Sequence, residues 1–562
     1  MKTKQKWFYI LLIALSLLAS FKMVFFSLGL DEEYQVVMAY RNARGDRLFL
    51  DMWEPHQSSA FLCTLLMKPY LALFGTTGVV LYLRLCGTVL HLMVSFCLYR
   101  VLKSLMEKKY AWILALIYFN TIPKQIILPE FGIMQVWFYT LLSLCLIQYY
   151  IKGRKRQYLV LASLALVLNV LSYPSCLILF PFLLLLCFRF SGKDKWRDMG
   201  MVTLVCCLCG LGYLGMLFTY TFPAELPATL SHILNGDVTH SLALSEKIFS
   251  LLSGCLYVAV LWTACFALAF GVGKWKKLPR ERYYYLATIL ACGLELLFWL
   301  PLNKGYENMQ LHLAAFTLAG LCLTQNRKQQ PLQTTVLFSL LRYLIAGALV
   351  SLLAVAYLTD LTVMLSIPHA MPAAFFGAAL LVLEQHQKKE QSAPTAKWLY
   401  ATLLLWCLTA ILGKGYTMRS GASYHNILQS AGIMRNGPAA GIISNYMIPY
   451  VYNCDYEDWQ QYMQHGDKVL IVVDQVNNLS TIQYLFKDVE ISHFSIVNPT
   501  AYDERLLEYW ELFPEKAPNV ILVDCWYGQL MADPDSWIMQ YIENDFGYTQ
   551  VNDGRYIRIY RK

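Results

Sequence analysis

The sequence predicts a polytopic α-helical membrane protein with a C-terminal α/β domain. Apolar residues make up 57% of the 562 residues, charged residues make up only 15%, and the mean hydropathy is +0.43. This balance is typical of chains that have a bilayer as their solvent. Long apolar runs recur up to residue 413, and beyond it they shrink to strand length while acidic residues become frequent. We therefore expect a transmembrane domain over 1–413 and an α/β domain over 414–562.

Apolar stretches of about 17 to 25 residues can cross a hydrocarbon core roughly 30 Å thick, and they do so as helices that satisfy their own backbone. The run 59–75 is interrupted by Lys68-Pro69, so we expect an interfacial helix over 58–75 that lies on the membrane surface. The remaining runs predict about 13 transmembrane helices, near 7–29, 80–103, 109–127, 132–151, 156–172, 174–190, 199–220, 248–271, 283–302, 308–324, 334–357, 369–384 and 397–413.

The distribution of basic residues predicts the topology, because Lys and Arg are retained in short cytoplasmic loops. Alternate loops are basic, namely KSLMEKKY, IKGRKRQ, SGKDKWRD, GKWKKLPRER, NRKQQ and EQHQKKEQ, whereas the loops between them are poor in Lys and Arg. The N-terminus is then cytoplasmic, and both the loop 30–57 and the C-terminal domain are extracytoplasmic. That domain has 11 Lys and Arg against 18 Asp and Glu, a net charge of −7. The overall charge of +9 therefore reflects membrane topology and does not indicate nucleic-acid binding.

The C-terminal domain alternates short apolar runs with amphipathic ones. KVLIVVD, ISHFSIV and NVILVDC predict buried strands, and DERLLEYWELF and DSWIMQYIEN predict helices. The last residues, YTQVNDGRYIRIYRK, predict a closing hairpin with an Asp-Gly turn. Alternating strands and helices favour a small α/β layer fold.

The outer loop 30–57 is the most polar stretch of the first 200 residues, and it opens with Asp31, Glu32 and Glu33. One interpretation is structural: Asp31 caps a helix, and the two glutamates favour its first turn through the helix dipole. The other is functional, because a Gly-Asp turn and the polar segment DMWEPHQ follow that helix and lead into the interfacial helix. Both interpretations stay open at this level.

The order of these parts resembles the GT-C glycosyltransferases, in particular the branch that contains protein O-mannosyltransferases and the lipid A aminoarabinose transferase. The resemblance covers roughly residues 1–200: a short tail, one span, an outer loop that begins with paired acids, a polar motif and an interfacial helix. It implies a transferase, of the inverting type, that moves a hexosyl or pentosyl group from a polyprenyl-phosphate carrier. The acceptor would be a glycan, lipid or protein on the extracytoplasmic face of the cell membrane.

The resemblance also implies roles for three acids. Asp31 matches the first acid of the family's pair, the residue assigned to acceptor activation, and Glu32 matches the second. A general base at this place would take the proton of the attacking acceptor group. Glu130, in ILPEFGIM, stands where the family often has an acid at the outer start of the fourth span, although it could equally be a helix-start residue. A divalent cation near Asp31 and Glu130 is compatible with this set.

A phosphate leaving group calls for cations at the outer ends of the spans, and the candidates are Arg84, Lys124, Lys304 and His56, with Tyr306 close to Lys304 in sequence. Arg84 could instead be an interfacial anchor. The aminoarabinose-transferase branch has Lys-Pro-Pro after its acidic loop, whereas this chain reads Glu54-Pro55-His56-Gln57. His56 could replace that lysine or bond a sugar hydroxyl, and Glu54 and Gln57 join it as donor- or acceptor-binding candidates.

Three other functions remain open on the sequence alone: a lipid-linked glycan transporter or flippase, a polysaccharide polymerase or ligase, and a membrane-anchored sensor. A transporter would be expected to show internal repeats and broken helices in both halves, and neither is evident. A ligase would be expected to have Arg- and His-rich motifs in a large late loop, and the longest loop has two histidines and no arginine. The sequence does not determine the sugar, the acceptor or the length of the carrier.

Overall fold

The structure is a computed structural model that describes residues 3–223, 226–236, 242–279, 282–299, 311–322, 324, 332–359, 367–387, 393–421, 423–472, 479–496, 504–545 and 547–562. A helix overlaps each of the thirteen predicted spans, and the interfacial helix is also present. The helices up to residue 416 are α1 Thr3–Phe25, α2 Leu30–Arg44, α3 Phe61–Phe74, α4 Val79–Leu102, α5 Lys108–Asn120, α6 Phe131–Ile151, α7 Arg156–Ser172, α8 Leu179–Phe190, α9 Lys195–Leu217, α10 Leu226–Gly236, α11 Leu244–Trp275, α12 Tyr283–Trp299, α13 Leu311–Cys322, α14 Leu332–Leu358, α15 Met371–Gln387 and α16 Ala393–Tyr416.

Seven of these helices are long and apolar enough to cross a membrane: α1, α4, α6, α9, α11, α14 and α16. Four of the others are apolar but shorter, at 10–17 residues. The chain is therefore a multi-pass membrane protein, while the number of thirteen spans stays a prediction. Two ionisable residues inside the spans are paired, as expected where water is excluded: Lys22 donates to the carbonyl oxygen of Thr417, and Glu295 is bonded to His312.

The segment after α16 forms a mixed β-sheet flanked by helices, which confirms the predicted fold class. The elements are β1 Thr417–Ser420, β2 Ser423–Asn426, β3 Ser430–Ile433, β4 Ile443–Asn445, α17 Met447–Tyr462, β5 Lys468–Val472, β6 Glu490–Ile491, α18 Glu504–Leu512, β7 Val520–Trp526, β8 Gln529–Leu530, α19 Trp537–Gln540, β9 Thr549–Gln550 and β10 Ile557–Arg561. The strand order of the sheet is β6-β5-β7-β10-β9, with parallel pairing of β5 to β6 and β7 and antiparallel pairing of β10 to β7 and β9.

Two local predictions differ from the structure. The N-cap of α2 is Gly29, and Asp31 lies in the first turn instead of capping the helix. The segment ISHFSIV forms a strand only at its start, in β6. The amide of Ser492 still donates to the carbonyl of Val469 in the neighbouring strand at 3.0 Å. Beyond Ser492 the backbone bonds the outer loop, where the carbonyl of Phe494 accepts from the amide of Trp53 at 3.0 Å.

The outer loop and the C-terminal domain share a buried polar interface. The Arg41 guanidinium is fully buried and donates at 2.8 Å to the carbonyls of Asp51 and His493. Glu54, also fully buried, accepts from the Ser495 hydroxyl at 3.0 Å and from the amide of Ile496. These bonds put the loop and the sheet on the same side of the helical bundle.

Two helices approach each other at glycines, where no side chain would fit. A Cβ atom on Gly377 in α15 would lie 2.1 Å from the carbonyl oxygen of Phe316 in α13. We predict that Gly377→Ala destabilises the protein by about 1 to 3 kcal/mol, because backbone must move to admit the methyl group. Gly271→Ala in α11 is the control: its Cβ would meet nothing within 4 Å, and alanine is the better helix former. The thermal midpoints of unfolding of both variants are measured in detergent. Equal midpoints for Gly377→Ala and Gly271→Ala would contradict the close packing of α13 and α15.

We predict that Glu54 makes the stability of the interface between the outer loop and the C-terminal domain depend on pH. Burial raises the pKa of Glu54 to about 7, and the hydrogen bonds from Ile496 and Ser495 offset only part of the rise. Because the folded pKa lies above the ordinary 4.5, the contribution to stability is complete below pH 4.5 and is lost as the pH rises through about 7. It amounts to about 3 kcal/mol. Between pH 5 and 8 the thermal midpoint of the wild type should fall relative to that of Glu54→Gln, whereas Glu457→Gln, at an exposed acid, should track the wild type. Parallel curves of thermal midpoint against pH for the wild type and Glu54→Gln would refute a role of Glu54 in this pH dependence.

Candidate functional site

Lys124 lies on a strained turn between α5 and α6. Lys124 has φ 53° and Gln125 has φ 57°, so two consecutive residues with side chains adopt the left-handed conformation, which costs each of them of order 1 to 2 kcal/mol. Such strain persists only where surrounding contacts impose it, and it is common at functional sites. Here the turn puts the Lys124 ammonium 4.0 Å from the centroid of the Phe131 ring and directly beside two carboxylates.

Asp31 and Glu130 share the Lys124 ammonium. Nζ of Lys124 lies 3.1 Å from Oδ2 of Asp31 and 3.0 Å from Oε1 of Glu130. The other oxygen of Glu130 caps α6, accepting from the amides of Gly132 at 2.9 Å and Ile133 at 3.1 Å. Glu130 is thus both the helix-start residue of one interpretation and a partner of Lys124. Its carboxylate is fully buried, whereas the Asp31 side chain keeps 25% of its exposure.

A second cation, Arg419, contacts Asp31 and follows the last transmembrane helix in the sequence. Nη1 of Arg419 donates to Oδ2 of Asp31 at 3.2 Å. Arg419 stands on β1, directly after α16, and backbone bonds dock this segment on the start of α2: the amide of Leu30 donates to Gly421 at 3.1 Å and the amide of Gly421 donates to Leu28 at 2.8 Å. The sequence analysis missed Arg419, because it counted this residue as part of an acidic domain.

The two cations determine the electrostatics of the aspartate. Burial alone would raise the pKa of Asp31, but Lys124 and Arg419 outweigh it and hold the pKa below the ordinary value. Burial would likewise lower the pKa of Lys124, and the carboxylates of Asp31 and Glu130 instead hold it above the ordinary value. Lys124 is therefore a permanent cation, and Asp31 is an ionised but weakly basic carboxylate while both cations contact it.

Glu32 and Arg84 form a separate pair beside this cluster. Nε and Nη2 of Arg84 contact the two carboxylate oxygens of Glu32 at 2.7 and 2.5 Å. The remaining guanidinium bonds go to the carbonyls of Val24, Phe26 and Ser27. This pair ties α4 to the turn between α1 and α2, and its contacts favour a positioning role for both residues.

Three of the remaining candidates from the sequence lie in three different environments. His56 stacks on the Phe131 ring, with centroids 4.5 Å apart, and therefore lies beside the Lys124 cluster. Glu54 belongs to the loop–domain interface, and Oε1 of Gln57 accepts from the amide of Phe49 at 2.8 Å, within the loop itself. Lys304 and Tyr306 lie outside the described residues.

His369 is a second residue that the sequence analysis missed. It lies in the turn Ile367–Ala370 before α15, and its ring packs edge-on against that of Tyr173 with centroids 5.7 Å apart. Its sequence signal was weak, because it is a single histidine after a proline at the start of the predicted span 369–384. Only the fold brings it to the N-terminus of α6.

The described residues form no divalent-cation site of their own at this place. A metal ion would need several oxygen, nitrogen or sulfur ligands around one point, and no group of three or more His, Cys, Asp or Glu side chains in the described part of the chain could supply them. Between Asp31 and Glu130, the place that the sequence left compatible with a cation, the Lys124 ammonium is bound.

No family model matches the chain, and no curated protein does. Among solved structures, the oligosaccharyltransferase of Archaeoglobus fulgidus, solved with Zn and sulfate, is 13% identical with a TM-score of 0.46 over 91% of this chain and 67% of its own. ArnT from Cupriavidus metallidurans is 12% identical with a TM-score of 0.45 over 99% and 98% in its apo state, and 12% identical with a TM-score of 0.44 over 98% and 97% when bound to undecaprenyl phosphate. These structural neighbours are both members of the GT-C superfamily.

Proposed function

We propose that this protein is a membrane glycosyltransferase that moves a sugar from a polyprenyl-phosphate carrier to an acceptor on the extracytoplasmic face, with Asp31 as general base. The observation that carries the proposal is the cluster itself: the partly exposed Asp31 carboxylate contacts two cations, Lys124 and Arg419, at the start of the outer loop. The loop resemblance to GT-C enzymes and the basic-loop asymmetry support the family and the orientation. Which sugar and which acceptor are used is not part of the proposal.

The cations suit the phosphate of the donor. The carboxylates of Asp31 and Glu130 raise the pKa of Lys124, so Lys124 stays charged. The planar guanidinium of Arg419 can bond two phosphate oxygens at once. The Arg419 side chain is 14% exposed and that of Lys124 is 11% exposed, so each keeps some surface that a phosphate can contact. Charge-assisted bonds of this kind stabilise a leaving phosphate as negative charge develops on it.

Donor binding would also activate the base. While Asp31 bonds Lys124 and Arg419, its low pKa makes it a poor proton acceptor. A donor phosphate that draws both cations away would remove the charges that lower this pKa, and the carboxylate would become more basic. The acceptor then attacks the anomeric carbon, its proton passes to Asp31, and the bond from carbon to the phosphate oxygen breaks. A single displacement of this kind inverts the anomeric centre.

Asp31→Asn tests the base. The amide keeps the size of the side chain and removes its basicity, so transfer of labelled sugar from undecaprenyl phosphate to the outer surface of membranes should slow by roughly 10²- to 10⁴-fold. Binding of the donor should persist, because both cations remain.

Glu33→Gln is the matched control on the same helix turn. Burial and the Glu32 charge raise the pKa of Glu33 well above its ordinary value, so glutamine reproduces the neutral acid and transfer should change little. Full activity in Asp31→Asn would remove the catalytic assignment, and equal losses in both variants would indicate that the acids act only through structure or overall charge.

Arg419→Gln tests the phosphate site. Each charge-assisted bond that is lost is worth about 1.5 to 3 kcal/mol, so binding of undecaprenyl phosphate to the purified protein should weaken by at least roughly 10- to 100-fold. Arg435→Gln, at an exposed arginine of the same domain, should leave the Kd unchanged. An unchanged Kd in Arg419→Gln would contradict the site, and a transporter would be indicated if labelled donor crossed vesicle membranes intact without transfer to any acceptor.

A further inference from the structure

His369 carries unused hydrogen-bonding capacity next to the site. Its side chain is 1% exposed, and neither ring nitrogen has a hydrogen-bond partner among the described residues. A buried polar group left in this state costs about 1 to 3 kcal/mol, and such groups are rare in folded proteins. The imidazole therefore has hydrogen-bonding capacity that no described residue uses.

The ring lies where the donor would bind. A Cβ atom on Gly132 would be 3.1 Å from Cε1 of His369 and 3.1 Å from Oε2 of Glu130, so the imidazole and the carboxylate flank the same point at the N-terminus of α6. Lys124 and Asp31 are near enough to interact electrostatically with the ring. A Cβ atom at position 132 would make unusually tight contacts, and the imidazole and the carboxylate would have to shift by a few tenths of an ångström to admit it.

A cluster of aromatic rings adjoins His369. Tyr173 packs edge-on against the His369 ring at 5.7 Å and against the His56 ring at 4.8 Å, and His56 in turn stacks on Phe131. Small-molecule sites are commonly lined in this way, by aromatic side chains with a few polar groups that fix orientation. A neutral imidazole offers one donor and one acceptor, a combination that matches hydroxyl groups.

We propose that His369 forms the sugar subsite, where its two ring nitrogens bond hydroxyl groups of the carrier-linked sugar. The inference rests on the proposed function, since the sugar is joined to the phosphate that Lys124 and Arg419 bind and must lie beside them. His369 thereby contributes to the choice of sugar, while the cations bind every carrier phosphate alike.

Binding of four probes tests the subsite: undecaprenyl phosphate alone, and the same lipid carrying glucose, mannose or 4-amino-4-deoxyarabinose. The wild type should bind at least one sugar-bearing probe more tightly than the bare lipid. His369→Phe should abolish that preference, bringing the ratio of Kd values close to 1, while the Kd for undecaprenyl phosphate stays unchanged. His369→Gln, which keeps a donor and an acceptor, should restore part of the preference.

The thermal midpoint separates this role from a structural one. Replacing two unsatisfied nitrogens by an apolar ring should leave the midpoint of His369→Phe unchanged or raise it. A lowered midpoint with an unchanged sugar preference would overturn the proposal in favour of a packing role. Equal losses of affinity of His369→Phe for bare and for sugar-bearing lipid would overturn the proposal in favour of a phosphate contact. If the wild type bound none of the four probes, the proposed function would itself fail, and the subsite with it.

Discussion

The interaction on which the rest of the structure depends is the buried ammonium of Lys124 between Asp31 and Glu130. A charge taken out of water is tolerated only when it is paired and hydrogen-bonded, so the three residues have to arrive together from three parts of the chain. Glu130 comes from the start of α6, Asp31 comes from the first turn of α2, and the strained turn before α6 supplies the lysine. Arg419 then completes the cluster from a segment that is docked by backbone bonds on α2.

The outer loop connects this cluster to the C-terminal domain. α2 begins at the cluster and carries the buried Arg41 in its last turn, so one helix of about 20 Å joins the site to the sheet. The far end is held by Arg41 and Glu54, whose partners come from the stretch after β6. That stretch leaves the sheet because the outer loop offers it the hydrogen bonds that a neighbouring strand would otherwise provide. The C-terminal domain thereby fixes the orientation of the helix that carries Asp31.

Much of the fold followed from local pattern, and much of the site did not. The long apolar runs predicted the positions of the helices that overlap the spans, and the apolar runs that begin at 468 and 519 contain β5 and β7. These signals lie within the elements themselves. Asp31, Lys124 and Glu130 were each singled out, but for separate reasons and without their mutual contacts. Arg419 lies 388 positions from Asp31, and His369 reaches α6 only through the packing of α15. Long-range pairing of this kind leaves no periodicity in one sequence, so these two residues were missed.

The location of the carrier phosphate tests the central claim most directly. The measurement is an experimental structure of the protein with undecaprenyl phosphate, read at the phosphorus atom and at the Asp31 carboxylate. The account predicts phosphate oxygens within hydrogen-bond distance of both Lys124 and Arg419, with the Asp31 carboxylate released from at least one of these cations and open to the outer side. A phosphate bound elsewhere, with the Asp31, Lys124 and Arg419 contacts intact, would contradict it.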